Sequence, residues 1–428
     1  MIDILVSVLL SLGNVGAFSI LAVGIVMIYR ASKVLNLAHG AMVMFPPYVV
    51  LILNSGGAPM SQRILACVVP AAAVGPMVAT ILQRRVARPV RLAAGTVASL
   101  AALGLLVTVA GAGLPLIPSL IVGIAAGGAL GYLVERIFVR GLRAQGPTAQ
   151  TVGTVAALGI VVAVSAKIFG TQAQNGAKVF PEGGINISAS FIPYGQIGLF
   201  FLSMALTYAL ILLFKKTDLG LIMRGTAENR RAAALMGADP DKITALTWVM
   251  GGVLAGLSGI LLASVTNLHP YVLSLQALPA FVAALLGGMA SLFGAVVGAA
   301  IVGVTFSVVP ALGFLEKLQG GPQLFLALAA VAAMVTRGQK IVGGDVRSES
   351  IAAAGKKQVR GLGGLAEGKR PLTILGIILF LGFPFLPFVS FDIVSNMNRA
   401  AANTMIATSL VILIGWVGQI SLGHAALV

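Results

Sequence analysis

The sequence predicts an all-α, polytopic membrane protein: a bundle of transmembrane helices, some interrupted, with a parallel internal repeat. Of its 428 residues, 58% are hydrophobic and 9% charged, at a mean hydropathy of +1.02, which leaves too little polar surface for a water-soluble globule. Apolar runs of spanning length, roughly 17 to 25 residues, recur at 4–29, 64–82, 92–112, 194–214, 243–265, 371–391 and 400–415. The short alternating segments of a membrane β-barrel do not appear, so the spans are helices.

The first run lacks a basic leader and a small-residue cleavage site and carries Asp3, so it reads as a retained helix rather than a signal peptide. The net charge of +16 could suggest nucleic acid, but the cations sit in short connections between spans. One cluster is Arg84, Arg85, Arg88 and Arg91; a second is Arg136, Arg140 and Arg143. A third is Lys215, Lys216, Arg224, Arg230, Arg231 and Lys242, and a fourth runs from Arg337 to Arg370. These are positive-inside signals, so a lipid bilayer and not nucleic acid is the expected partner. The single cysteine, Cys67, excludes an internal disulfide.

Placing the clusters in the cytoplasm threads the chain with its N-terminus outside. Residues 92–112 leave, turn in the bend Gly113 to Pro118, and return as 119–134. The run 150–169 exits into a polar external loop, 170–188, and 194–214 comes back. The region 276–309 is too long for one span and is broken at Gly287, Gly288 and Gly294 around Met289, Ala290 and Ser291. Two segments there keep 337–370 in the cytoplasm. Such breaks are tolerated where backbone is buried in protein or lines a cavity.

"NLAHGAMV" at 36–43 and "SLGHAALV" at 421–428 share Leu, His, Ala and Val at corresponding positions. Each follows a helix threaded from outside to inside, so the repeat is parallel. Three segments follow: a first permease-like half at 1–336, a basic, glycine-rich cytoplasmic linker at 337–370, and the opening of a second, truncated half at 371–428.

Other motifs carry less. Gly363 to Arg370 reads G-G-L-A-E-G-K-R, but Arg370 replaces the magnesium-binding Ser or Thr of a phosphate loop, and Pro371 opens a membrane span where a helix N-terminus is needed. Small-residue spacings at Gly123, Gly127 and Gly131, at Gly252 and Gly256, and at Gly294 and Gly298 permit close helix packing. No carboxylate or cysteine stands at ligand spacing from a histidine, so neither a metal nor a cofactor is expected. Ionisable residues are nearly absent from mid-span positions, which argues against proton coupling and against a membrane enzyme.

The loop 215–242 is more specific. "TAENRRAAALMGADPDKI" predicts a short helix from about Ala227 to Met236, stopped by Gly237 in a left-handed cap. Asp239 caps a second helix that begins at Pro240 and continues into the span at 243–265. The flat surface of Ala232, Ala233 and Ala234, with Leu235 and Met236 beside it, suits another protein; an amphipathic connector on the bilayer remains the other reading.

Arg231, Ala232, Ala233 and Gly237 follow the spacing of the EAA…G loop of bacterial ABC importer permeases, with Arg in place of the Glu and Glu228 three residues upstream. The stretch 224–264 resembles the corresponding region of branched-chain amino acid importer permeases. "NLAHG" and "VGQISLGHAA" resemble signatures of that family's two membrane subunits. The resemblance implies an inner-membrane pathway for small hydrophobic amino acids, completed by a second permease half or subunit. It also implies two separate ABC ATPase subunits and an extracytoplasmic solute-binding protein. The ATPase-coupling residues would be Glu228, Arg231, Ala232, Ala233, Gly237, Asp239 and Pro240.

Asn36, His39 and Gly40, with Gln419 and His424 in the second copy, predict a helix broken near the cytoplasmic boundary. The histidines either fix the break by hydrogen bonds or line the pathway. His269, in "NLHPY", is expected at the external mouth or against the binding protein. The alternative to an importer is a self-contained channel for a small neutral solute such as urea or an amide.

Overall fold

A computed structural model describes residues 2–81, 88–187, 190–289 and 291–311, and the isolated positions 325, 328 and 329. Gln419, His424, the linker 337–370 and the second copy lie outside the described residues. Everything described belongs to one compact unit within Met1–Gly344.

The helices are α1 (Ile2–Ser32), α2 (His39–Ser55), α3 (Met60–Ile81), α4 (Arg88–Ala112), α5 (Leu116–Val134), α6 (Pro147–Phe169) and α7 (Tyr194–Lys216). They continue with α8 (Asp218–Glu228), α9 (Arg230–Leu235), α10 (Pro240–Val265), α11 (Pro270–Leu275), α12 (Ala277–Leu286) and α13 (Leu292–Ala311). Among the described residues, seven helical stretches are long and apolar enough to cross a membrane: Ser7–Ser32, Ala93–Ala112, Leu116–Val139, Ala149–Phe169, Tyr194–Lys216, Pro240–Val265 and Leu292–Val309. The fold is all-α and polytopic, as expected. In the loop 170–193 and beside α10 there are two small sheets. One pairs β1 (Gln174–Asn175) with β4 (Asn267–Leu268), and the other is the hairpin of β2 (Gly184–Ile187) and β3 (Ser190–Pro193).

Helix α1 is the central post, packed against α7, α10, α12 and α13. Its Phe18 meets Phe306 of α13 with ring centroids 5.6 Å apart. Next to it, α5 and α10 cross at near-backbone contact through the glycine spacings. A Cβ at Gly131 would lie 2.3 Å from the Trp248 carbonyl oxygen, and one at Gly252 would lie 2.2 Å from that of Gly127. With no hydrophobic gradient between lipid and helix, such intimate van der Waals packing holds membrane helices together.

The predicted interruption is present. Helix α12 stops at Leu286, the chain turns through Gly288 (φ 90°) and Met289 (φ 53°), and α13 starts at Leu292 and packs back on α12. At the opposite end, the α2–α3 and α4–α5 turns are joined. Leu114 N–H donates to the Leu53 carbonyl at 2.6 Å, and Asn54 Nδ2 donates to the Leu114 carbonyl at 3.0 Å.

Candidate functional site

The corner between α9 and α10 is built by local rules. Gly237 takes φ 89°, the left-handed conformation. The Ala238 N–H donates to the Ala233 carbonyl at 3.0 Å, and the Gly237 N–H to that of Ala234 at 3.1 Å. Together these form a Schellman turn. Asp239 then accepts from the N–H groups of Asp241 (3.1 Å) and Lys242 (3.2 Å), and Pro240 occupies the first helical position. The Lys242 N–H, more than any other group, holds the Asp239 carboxyl below its ordinary range.

One detail departs from expectation. A continuous helix from Ala227 to Met236 is not formed: the chain breaks at Asn229, which is extended (φ −146°, ψ 101°) and caps α9 by accepting from the Ala232 N–H at 3.0 Å. Asparagine is a preferred helix cap, and its signal is obscured by the alanine run that follows. The result is a six-residue α9 that is distinct from α8.

Helix α9 carries no buried residue, and its tip protrudes: Leu235 is 89% exposed and Met236 88%. Ala232 is exposed, Ala233 half-buried, and Glu228 and Arg231 are exposed. Among the described residues neither Glu228 nor Arg231 has an ion-pair partner.

A polar network unforeseen in the sequence fastens this corner to the bundle. Arg230 of α9 donates to Asp241 Oδ1 at 2.8 Å and to Thr244 Oγ1 at 3.0 Å, both on α10. Arg143 donates to the same Asp241 oxygen at 2.7 Å. Arg140 donates to the Asp241 backbone carbonyl at 3.2 Å and from Nε to Glu135 Oε1 at 3.2 Å. Glu135 has a fully buried side chain and opens a π-turn, Glu135–Val139, closed by the Arg140 N–H to its carbonyl at 2.7 Å. Such turns inside helices are frequent at functional positions. Cations that otherwise read as topology signals thus tie α5, α9 and α10 together at one carboxylate and one carbonyl.

The second predicted cluster lies elsewhere. His39 and Asn36 are buried, at 0% and 1% exposure. The Asn36 amide sits 3.5 Å from His39 Nδ1, and the ring packs against Gly24 of α1. Gly24 lies eight residues, about 12 Å, before the end of α1, so the irregular segment that starts at exposed Lys33 carries the His39 ring back into the bundle. Its irregular backbone is satisfied by α6: Leu37 N–H donates to Thr154 Oγ1 at 3.1 Å, and that hydroxyl reaches the Leu35 carbonyl at 3.2 Å. Gly40 is required because a Cβ there would lie 2.3 Å from the Ser274 carbonyl oxygen of α11. His269, on the far side, accepts from the Val272 N–H at 3.5 Å and caps α11.

The described residues form an all-α bundle with several membrane-length helices, an interrupted helix pair and a short helix exposed at one end. The chain belongs to the family described as branched-chain amino acid transport system / permease component, which matches residues 82–336. It is 30% identical over 186 residues to the high-affinity branched-chain amino acid transport system permease protein BraD of Pseudomonas aeruginosa, covering 41% of this chain and 59% of that one. It is 33% identical over 120 residues to the corresponding protein LivH of Escherichia coli, covering 28% and 39%. It is 32% identical over 123 residues to the probable permease LivH of Methanocaldococcus jannaschii, again covering 28% and 39%. The chain thus spans less than two thirds of the length of these relatives. No solved structure matches it.

Proposed function

We propose that the chain is a membrane subunit of an ATP-driven importer of branched-chain or other small amino acids in the bacterial cytoplasmic membrane. The exposed Leu235–Met236 tip of α9, locked to α10 through Arg230 and Asp241, carries this reading. Two adjacent, almost wholly exposed apolar side chains at the end of a capped helix offer a partner an apolar contact. The partners are two ATPase subunits, one of which covers the tip, together with a second permease half or subunit and an external solute-binding protein. The names of the relatives support branched-chain amino acids as the solute. Residues 337–370 act as a cytoplasmic linker to the second-half sequence at 371–428, and the N-terminus lies outside.

ATPase closure would push α9 at Ala232, Ala233 and the tip. The Schellman turn at Gly237 and the Asp239–Pro240 cap pass the movement to α10, and Arg140 and Arg143 pass it to α5. Asn36, His39 and Gly40 hold the broken start of α2: the ring packs on α1, α6 bonds the Leu35 and Leu37 backbone, and α11 closes on Gly40.

The test is leucine uptake in cells carrying the chain and its partner subunits, with ATP depleted at constant membrane potential. Uptake should cease. Uptake that continues would favour the self-contained channel, which needs no ATP.

A further inference from the structure

The basic residues at the α9 end of the bundle fall into two sets. Arg140, Arg143, Arg230 and Lys242 pair with Glu135, Asp239 or Asp241. Arg30, Lys215, Lys216 and Arg224 have no carboxylate within ion-pair distance among the described residues. Arg136 and Arg231 belong with the second set, and although Asp218 and Glu228 of α8 are themselves without ion pairs among the described residues, these cations outnumber them.

Two of these cations line one cavity. Arg30, from the last turn of α1, and Arg224, from α8, line a small cavity together with Met27, Phe214, Thr247 and Leu292. Arg224 Nη1 donates to the Phe214 carbonyl at the end of α7. That bond anchors the guanidinium, which has five N–H donors in all. Beside it, α8 is split by face. Gly220, Met223 and Thr226 are buried, whereas Leu221 is 59% and Ile222 41% exposed. Leu221 lies three residues before Arg224, on the same side of the helix. An apolar face left uncovered next to unpaired cations, at the end of membrane helices, has the chemistry of the bilayer interface. Basic pockets between helix ends there bind lipid head groups.

We propose that Arg30 and Arg224 bind the phosphate of an anionic phospholipid head group, with Leu221 and Ile222 resting against its acyl chains. Arg can grip a phosphate with paired N–H donors, which a neutral or choline-masked head group rewards less. The lipid would occupy the corner between α1, α7 and α8 and so steady α8, which leads directly into α9. The site does not depend on what the protein transports.

The experiment uses the full chain, purified without partner subunits and exposed to equal amounts of phosphatidylglycerol and phosphatidylcholine, with retained lipid counted by native mass spectrometry. Phosphatidylglycerol should be retained with a preference of up to roughly thirtyfold, from two basic residues at the surface. The double variant Arg30→Gln, Arg224→Gln should lose that preference, and Arg30→Lys, Arg224→Lys should keep most of it. Removing two charges at the opposite end, Lys167→Gln with Lys178→Gln, should change nothing. A second measurement needs no variant: photoactivatable phosphatidylglycerol should label unmodified chain in peptides containing Arg30 or Leu221 to Arg224. An unchanged preference in the double glutamine variant overturns the proposal, as does label confined to other helices. Displacement of the lipid by millimolar inorganic phosphate would assign the two arginines to a soluble anion and overturn the lipid.

Discussion

Replacing Gly237 with valine isolates the corner from everything around it. A Cβ at this position meets nothing within 4 Å, so no clash is introduced. The perturbation is purely one of backbone, because φ 89° is a conformation that a β-branched residue resists. The left-handed conformation costs an ordinary L-residue roughly 1 to 2 kcal/mol, and valine lies at the upper end. At 1.4 kcal/mol per factor of ten, the population of the native corner relative to an unwound one falls about five- to thirtyfold. Leucine uptake, normalised to the amount of chain in the membrane, should fall, by at most that factor, while solute binding by the external protein is unaffected. Gly237→Asn is the internal control, since asparagine tolerates this region, and should stay within about twofold of the parent. Parental uptake by the valine variant at parental membrane levels would refute the reasoning, because the corner would then transmit nothing.

Other substitutions test the packing and the network. Arg140→Gln leaves the buried Glu135 without its ion partner; with the Arg140 side chain 27% exposed, the loss should sit near the low end of ~3 to 5 kcal/mol. A depressed melting temperature in detergent, largely restored in the double variant Glu135→Gln, Arg140→Gln, is the expected pattern; a single variant as stable as the parent would contradict it. Gly131→Ala drives a methyl onto the Trp248 carbonyl at 2.3 Å and should destabilise by roughly 1 to 3 kcal/mol or more. Gly104→Ala on α4 meets nothing within 4 Å and should be neutral or slightly stabilising, so equal melting shifts for the two variants would count against the α5–α10 contact. The Asp239 carboxyl is held below its ordinary range, so its contribution is present above the ordinary carboxylate pKa and lost as pH falls through its depressed folded value. Asp239→Ala should cost ~0.5 to 2 kcal/mol at neutral pH, and the gap to the parent should close under acid; a gap independent of pH would remove the carboxylate from the cap.

What the sequence revealed and what it concealed divide along chain distance. Gly237, Asp239 and Pro240 were legible because cap and turn preferences are decided within a few residues. The α12–α13 interruption was legible for a different reason: the basic clusters on either side leave a long apolar region only one sensible threading, and the glycines mark where it folds back. Glu135, Arg140, Arg143 and Asp241 were not legible as a unit, since Arg143 and Asp241 are 98 residues apart and each cation alone resembles a topology signal. Thr154 was missed likewise, 117 residues from the Leu37 N–H it satisfies. The burial of His39 follows from α1 packing on its ring and α6 bonding the backbone before it, which no local pattern encodes. The break at Asn229 was available from its capping preference and was outweighed by the helix propensity of three consecutive alanines.

The central claim is that α9 is the contact through which an ATPase drives this permease. The direct test is to purify the full chain from its native cell, with ATPase subunits identified and counted by mass spectrometry, beside a variant carrying Leu235→Asp and Met236→Asp. These two side chains are almost wholly exposed, so the fold should survive the change. ATPase subunits should accompany the parent chain and be lost from the variant, with the amount of chain in the membrane unchanged. ATPases retained by the variant, or absent from the parent, would contradict the account.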